Sequence, residues 1–236
     1  QLFGFRGTED AIDHQTEIEF LDNKFILGEE FTRKTMANQA DMSGIGNWIR
    51  GAQKQAEWVI YGVHCHESGG TGEFHGSTRV SPPEFLEEFA RWTIDQGCAL
   101  FAGHGPHFLR GIEIYKNRPI FYSLGNFIFQ NESVLSLPDE AYRRFGLDYD
   151  QTPGDYLDTR SGGGTRAFAG DPVFWRSAVA ICNYAEGDLK EIVLHPIEMG
   201  HGLPIPQRGR PVLSRGQMAQ EILTWLQDVS KPYGTE

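Results

Sequence analysis

The sequence predicts a mixed α/β fold, and three observations support this prediction. Apolar, β-rich runs at residues 58–63 and 98–102 flank a helical pattern at 82–96. Two hairpin patterns follow these runs, and an amphipathic helix closes the chain. A chain of 236 residues can bury one large core. We therefore treat residues 1–236 as a single domain.

The first part of the chain carries weaker signals. The stretch TEIEFLDNKFIL predicts two short strands that turn at Asp22 and Asn23. A helix is predicted from about Ser43, although three glycines weaken it. The run WVIYGVH is typical of a short buried strand, and it leads directly into the segment HCHE at residues 64–67.

The helix at 82–96 is the clearest element. Ser81 and Glu84 have the spacing of a capping box, and Gly97 supplies a stop. Because a helix connects the strands on either side, those strands should be parallel. Both histidine segments, 64–67 and 104–107, then lie at the carboxyl edge of one sheet, where α/β proteins build their sites.

The second half of the sequence predicts antiparallel strands. A hairpin is expected to turn at residues 116–119, and another at 186–188. Ser214 is expected to cap the closing helix. Between the hairpins, residues 130–172 form a long polar stretch, which we predict to be a loop or insertion over the mouth of the crevice.

Composition excludes several classes of protein. The formal net charge of −11, with no basic patch, argues against nucleic acid as a partner. Three cysteines without CxxC spacing predict free thiols instead of disulfides or a thiolate zinc site. No apolar run is long enough to cross a membrane, and no signal peptide is present. Because the chain begins with Gln1, we expect that a leader, anchor or upstream segment can precede it, and the compartment stays open.

The histidines suggest metal chemistry. Neutral imidazole is the commonest ligand for borderline divalent ions. His64, His104 and His107 are our candidate ligands; a hydrogen-bonded structural role is the alternative. Gly103 and Gly105 let the backbone turn sharply and come close to an ion or substrate.

Other residues near these histidines have less certain roles. His66 and His75 are candidate catalytic acids, and His66 is alternatively a further ligand or a solvated ring. The candidates for the substrate side of the site are Glu67, Arg79, Arg110 and Asn126, and we expect the two arginines to hold an anionic group. We interpret the remaining histidines, His14, His195 and His201, as structural or surface residues.

Two other chemistries lack their motifs. A serine-hydrolase G-x-S-x-G and a phosphate-binding GxxxxGK[ST] loop are both absent. Cys65 and His66 form a conceivable nucleophile pair, but adjacent residues of a strand point to opposite faces.

The motifs WVIYGVHCHES and FARWTIDQGCALFAGHGPHFLRGIEIYKNRPIFYSLGNFIF resemble the bacterial capsule-synthesis family of CapA type, which takes part in poly-γ-glutamate biosynthesis. The resemblance is close over residues 57–130. It implies the four-layer α/β/β/α sandwich of the calcineurin-like metallophosphoesterase superfamily, with this chain supplying mainly the second half. It also implies one or two divalent ions (manganese, zinc or iron) at His64, His104 and His107. Asn126 matches a family position beside the site, where we expect it to support the histidine loop and not to bind metal.

The sequence departs from the family pattern in two ways. His66 replaces a glycine, Cys65 a tryptophan and Gly105 a histidine, which alters the pocket floor. The family's Gly-Asp strand end and Asn-His pair are not found before residue 57. We therefore expect an upstream half of the domain, or a second chain, to supply the remaining ligands.

The resemblance leaves three functions open. The first is a metal-dependent hydrolase acting on a phosphoester or on an amide such as a γ-glutamyl bond, whether in a small molecule or an acidic polymer. The second is a non-catalytic accessory protein that binds the polymer, although the charge of −11 opposes a polyanion. The third is a structural domain whose closed metal site holds no water.

Overall fold

The computed structural model describes residues 16–20, 23–27, 35–69 and 80–235, and its centre is a four-stranded sheet. The strands are β1 Glu17–Phe20, β2 Asn23–Ile26, β3 Ile60–His64, β4 Leu100–His104, β5 Ile112–Tyr115, β6 Arg118–Phe121, β7 Arg176–Ala185, β8 Asp188–Glu198 and β9 Val212–Leu213. The helices are α1 Gln39–Gln53, α2 Glu84–Asp95, α3 Asp139–Arg144, α4 Pro153–Ser161, α5 Ala167–Gly170 and α6 Gly216–Ser230. The central sheet has the order β3-β4-β6-β5.

The predicted strand–helix–strand unit is confirmed. Strands β3 and β4 are parallel, and His64 pairs in register with His104. Helix α2 connects them, and Gly97 ends its last turn with a φ of 102°. Both strands therefore deliver a histidine to the same edge of the sheet.

The two predicted hairpins and the short amino-terminal strand pair are also present. Strands β5 and β6 turn at Lys116 and Asn117, which both have positive φ. Strands β7 and β8 turn at Glu186 and Gly187, and β9 joins them in a second sheet. Strands β1 and β2 pair antiparallel, as the sequence predicts.

Alternation along the central strands divides the core into two layers. Phe101 and Ile120 face α1 and α2 on one side of the sheet, while Leu100 and Phe121 face the β7-β8 sheet and α6 on the other. The mixed α/β prediction is therefore confirmed. The full four-layer sandwich stays a prediction.

Three predicted helix starts are wrong, for local reasons. Helix α1 begins four residues before Ser43, because the Asn38 side chain accepts hydrogen bonds from the amides of Ala40 and Asp41. The predicted capping box of Ser81 does not form: Pro83 keeps the preceding residue extended, so α2 begins at Glu84. Ser214 does not cap α6 either, since the N-cap is Arg215 and makes no side-chain bond.

The stretch 130–172, predicted as a long loop or insertion, contains three short helices joined by irregular segments. These helices are α3, α4 and α5. Phe168 packs in a third apolar cluster, and its carbonyl oxygen accepts a hydrogen bond from the indole of buried Trp175 at 2.7 Å. This contact ties the segment to the residue just before β7 of the second sheet.

The three cysteines are free thiols, as predicted; Cys98 is buried, and Cys65 and Cys182 are half-buried. Burial raises the pKa of Cys98 to about 11, which keeps its thiol protonated. Within the described ranges, no helix combines the length and apolarity needed to span a bilayer.

We expect Gly103→Ala to destabilise the protein severely. A Cβ at this position would lie 2.6 Å from the backbone oxygen of Tyr122, just after the neighbouring strand β6. Neither of these two backbone segments can move apart easily. Overpacking of this kind lowers the free energy of unfolding by about 1–3 kcal/mol. Gly62→Ala is the matched control, because its Cβ would meet nothing closer than 3.9 Å. Equal melting temperatures for the two variants would contradict this interpretation.

Candidate functional site

Four imidazoles meet at the carboxyl end of the parallel strands. The Nδ1 atoms of His64 and His104 lie 2.9 Å apart, and their ring centroids are 4.9 Å apart. The ring of His66 lies 4.7 Å from that of His64 and 5.2 Å from that of His107. We call His64, His66, His104 and His107 the histidine cluster.

The glycines of this segment allow close backbone packing. The amide of Cys65 donates to the carbonyl oxygen of His104 at 2.7 Å, which joins the two strand ends. Gly105 has a φ of 124°, and a Cβ there would lie 2.9 Å from the backbone of Cys65. Like Gly103, Gly105 therefore makes room for a neighbouring strand, whereas the sequence suggested room for an ion or substrate.

Asn126 fixes the ring of His107. The Nδ1 atom of His107 lies 2.8 Å from Oδ1 of Asn126, and the Asn126 amide nitrogen donates to the carbonyl oxygens of His107 and Phe174. With Nδ1 protonated and bound to the amide oxygen, Nε2 of His107 keeps its lone pair. This is the arrangement by which an outer partner orients a metal-binding histidine.

His66 is exposed, and its position favours the neutral ring. Partial desolvation and the nearby His107, His64 and Arg110 lower the pKa of His66. A neutral imidazole acts as a base or a ligand more readily than as an acid. The direction of the pKa shift therefore gives no support to the acid role predicted for this residue.

Arg110 is fully buried. It donates to the carbonyl oxygen of Glu67 at 2.7 Å and to the hydroxyl of Ser68 at 3.1 Å. Burial lowers the pKa of Arg110 to about 10, so the guanidinium stays charged at neutral pH. Arg110 therefore positions the segment after β3. The side chain of Glu67 is exposed.

The other predicted residues lie elsewhere. His75 and Arg79, like His14, fall outside the described residues. His195 lies in β8 of the second sheet, and exposed His201 lies against Trp175 at a centroid distance of 6.0 Å.

The donor chemistry of the cluster fits a divalent ion, but the arrangement is not that of a finished site. In residues 16–20, 23–27, 35–69 and 80–235, no three His, Cys, Asp or Glu side chains are placed to hold an ion. The Nδ1 atoms of His64 and His104 are hydrogen-bonded to each other, so these rings have to turn or use Nε2 to bind metal.

Two aromatic rings beside the cluster were missed by the sequence analysis. Phe168 lies 5.2 Å from the ring of His107, and Phe129 lies 6.3 Å from it. Both are far from the histidines along the chain, and Phe168 lies in the polar stretch that was predicted to be a loop. The SLGNF motif, which ends two residues before Phe129, is the sequence signal that lies nearest to these rings.

We expect Asn126→Ala to weaken binding of Zn²⁺ or Mn²⁺ about 10- to 100-fold, because the His107 ring loses its orienting partner. Asn126→Asp, which keeps an acceptor oxygen, should retain more affinity. Asn183→Ala removes an exposed amide from β7 and is the control. Calorimetric titration of each folded variant measures the change, and unaltered affinity in Asn126→Ala would contradict the orienting role.

The fold and the cluster define an α/β protein with histidines grouped at the edge of its parallel strands. The family model of the bacterial capsule synthesis protein PGA_cap matches residues 8–131, which extends the resemblance upstream from residue 57. The match covers just over half of the chain. The protein belongs to this capsule-synthesis family, and that prediction is confirmed.

Individual relatives agree with this assignment. Two uncharacterized proteins of Sinorhizobium fredii, y4sH and y4uA, are each 35% identical over 226 residues, which is 89% of this chain and 46% of theirs. The PGA biosynthesis protein CapA of Bacillus subtilis is 46% identical over 81 residues, or 34% of this chain and 19% of its own. The capsule biosynthesis protein CapA of Bacillus anthracis is 46% identical over 48 residues, covering 20% and 12%. The chain thus spans about half the length of the Sinorhizobium relatives or less.

Proposed function

We propose that this protein is a metal-dependent hydrolase of the CapA-type capsule-synthesis family. The observation that carries the proposal is the convergence of four imidazoles at one sheet edge, with His107 oriented by Asn126. Imidazole clusters with outer hydrogen-bond partners are typical of sites for borderline divalent ions. The family membership agrees with this interpretation.

In this proposal His64, His104 and His107 hold one divalent ion, manganese, zinc or iron, and a second ion would need ligands from elsewhere. When bound, such an ion supplies a hydroxide at neutral pH and polarises the oxygen of the bond to be cleaved. His107 is ready for this role, because Asn126 occupies its Nδ1 and leaves Nε2 available. His64 and His104 give up their mutual hydrogen bond to bind.

His66 then acts on the water or the leaving group. Its ring lies between those of His64 and His107, and it is exposed, so a substrate can reach it. The lowered pKa of His66 favours the neutral form, which accepts a proton from an attacking water. We therefore propose His66 as a base, or as a fourth ligand, more than as an acid.

The substrate is a phosphoester or an amide of γ-glutamyl type, in a small molecule or an acidic polymer. The names of the two Bacillus relatives refer to PGA and capsule biosynthesis, which favours a ligand that is rich in carboxylates. Because the chain has a net charge of −11, bound metal and local cations have to offset the repulsion.

The test compares two reactions on the full chain with and without added Mn²⁺ or Zn²⁺. The substrates are bis-p-nitrophenyl phosphate and γ-glutamyl-p-nitroanilide, and release of the nitroaromatic product is followed. Metal-dependent turnover of either substrate is the expected result. Metal binding without turnover, together with retention of poly-γ-glutamate, would instead support the accessory polymer-binding function.

A further inference from the structure

A cavity of about 480 Å³ lies beside the histidine cluster. This volume is within the range of small-molecule sites. Helix α4, the 162–169 segment and the 203–208 loop form its walls. Phe129 and Phe168 line the cavity, and the same two rings contact His107, so aromatic side chains connect the cavity to the candidate site.

The cavity lining combines an apolar wall with one arginine that has no ion pair among the described residues. The apolar side chains on the wall are Phe129, Leu157, Phe168, Trp175, Leu203 and Ile205. The guanidinium of half-buried Arg160 lies 5.4 Å above the ring of Phe168. In the part of the chain that the structure describes, Arg160 makes no ion pair, and its guanidinium contacts the ring of Phe168.

The other charges around the cavity are already balanced or solvated. Arg208 forms an ion pair with Glu132, and its guanidinium lies 5.4 Å from the ring of Trp175. Asp158 is exposed, so water screens its carboxylate. Among the described residues that line the cavity, Arg160 is therefore the cation without an ion pair, and an incoming anion can pair with it.

We propose that this cavity binds an anionic group, a carboxylate or a phosphate, through Arg160, while Phe168 and Phe129 hold the stem that carries it. The planar guanidinium suits either anion, since both accept two parallel N–H bonds. Arg160 would add an anion-binding residue to the two that the sequence predicts, Arg79 and Arg110. The ligand's identity as substrate rests on the proposed function, but the binding itself does not.

The experiment measures binding on the full chain without metal, so its outcome is independent of hydrolysis. Three fluorinated probes are titrated by ¹⁹F NMR: 4-fluorobenzoate, 4-fluorophenyl phosphate and neutral 4-fluorobenzyl alcohol. We expect both anions to bind more tightly than the alcohol. The tighter of the two anions identifies carboxylate or phosphate as the natural group.

Variants assign the binding to this cavity. Arg160→Gln should weaken anion binding roughly 10- to 100-fold, as expected for loss of hydrogen bonds to a charged group. Arg160→Lys should retain part of the affinity. Arg144→Gln, which removes an exposed arginine from α3 outside the cavity lining, should leave binding unchanged.

Two results would overturn the proposal. One is unchanged anion affinity in Arg160→Gln, and the other is equal affinity for the alcohol and the anions. Melting curves of each variant verify that it is folded before titration. Anion binding in a protein that hydrolyses neither test substrate would support this inference and count against the hydrolase function alone.

Discussion

Replacing His104 with alanine is expected to abolish metal-dependent turnover and to weaken binding of Zn²⁺ or Mn²⁺ by roughly 100-fold or more. His104 is paired in register with His64 and lies 2.9 Å from it, Nδ1 to Nδ1, so its loss removes one proposed ligand and the partner of another. Loss of outer-shell partners alone costs about 10- to 100-fold. Calorimetric titration and the hydrolysis assay measure the two effects.

His195→Ala provides the matched control, because this histidine lies in β8 of the second sheet, outside the histidine cluster. It should retain wild-type affinity and turnover once its folded fraction is taken into account. Equal losses of metal affinity and turnover in the two variants would mean that the substitutions act by lowering stability and not by removing a metal ligand.

The second large effect concerns the edge of the central sheet. Among the described strands, β3 is an edge strand, and Ile60 on it is 64% exposed, with Trp58 just before it 41% exposed. Unpaired edges with apolar side chains promote self-association. We propose that an upstream segment or a second chain covers this edge, and we expect residues 1–236 made alone to associate and to bind divalent metal weakly.

Ile60→Lys tests this expectation, because a charge on an edge strand blocks pairing with another strand. The variant should shift the chain from oligomers to monomer in analytical ultracentrifugation. Leu135→Lys, at a position 93% exposed in the 130–172 segment, is the control. A wild-type monomer with one sharp melting transition, clearly raised by Mn²⁺ or Zn²⁺, would contradict the need for another segment.

The elements that position the cluster could be predicted from sequence because their signals are local. The β-rich runs, the helix between them and Gly97 as a stop were sufficient for a parallel pair, and the parallel pair brings His64 and His104 together. The hairpin turns could be predicted equally well, since turns favour particular residue types; Lys116-Asn117 and Glu186-Gly187 both adopt positive φ.

Helix caps and side-chain roles could not be predicted, because they depend on competition and on distant partners. Ser81 is a suitable cap by type, but Pro83 delays the helix. Arg110 follows two histidines in sequence, yet it enters the core and bonds the segment after β3. Arg160 lies in a stretch that looks like a polar loop, and only tertiary packing places it over Phe168.

The most direct test of the central claim is X-ray absorption spectroscopy of the chain loaded with Zn²⁺, combined with anomalous diffraction to locate the ion. We expect one ion, coordinated by imidazole nitrogens of His64, His104 and His107 at about 2.0–2.1 Å. We also expect that the Nδ1 contact between His64 and His104, now 2.9 Å, is lost on binding. An ion bound elsewhere, or an intact contact between these two rings at saturating Zn²⁺, would contradict the account.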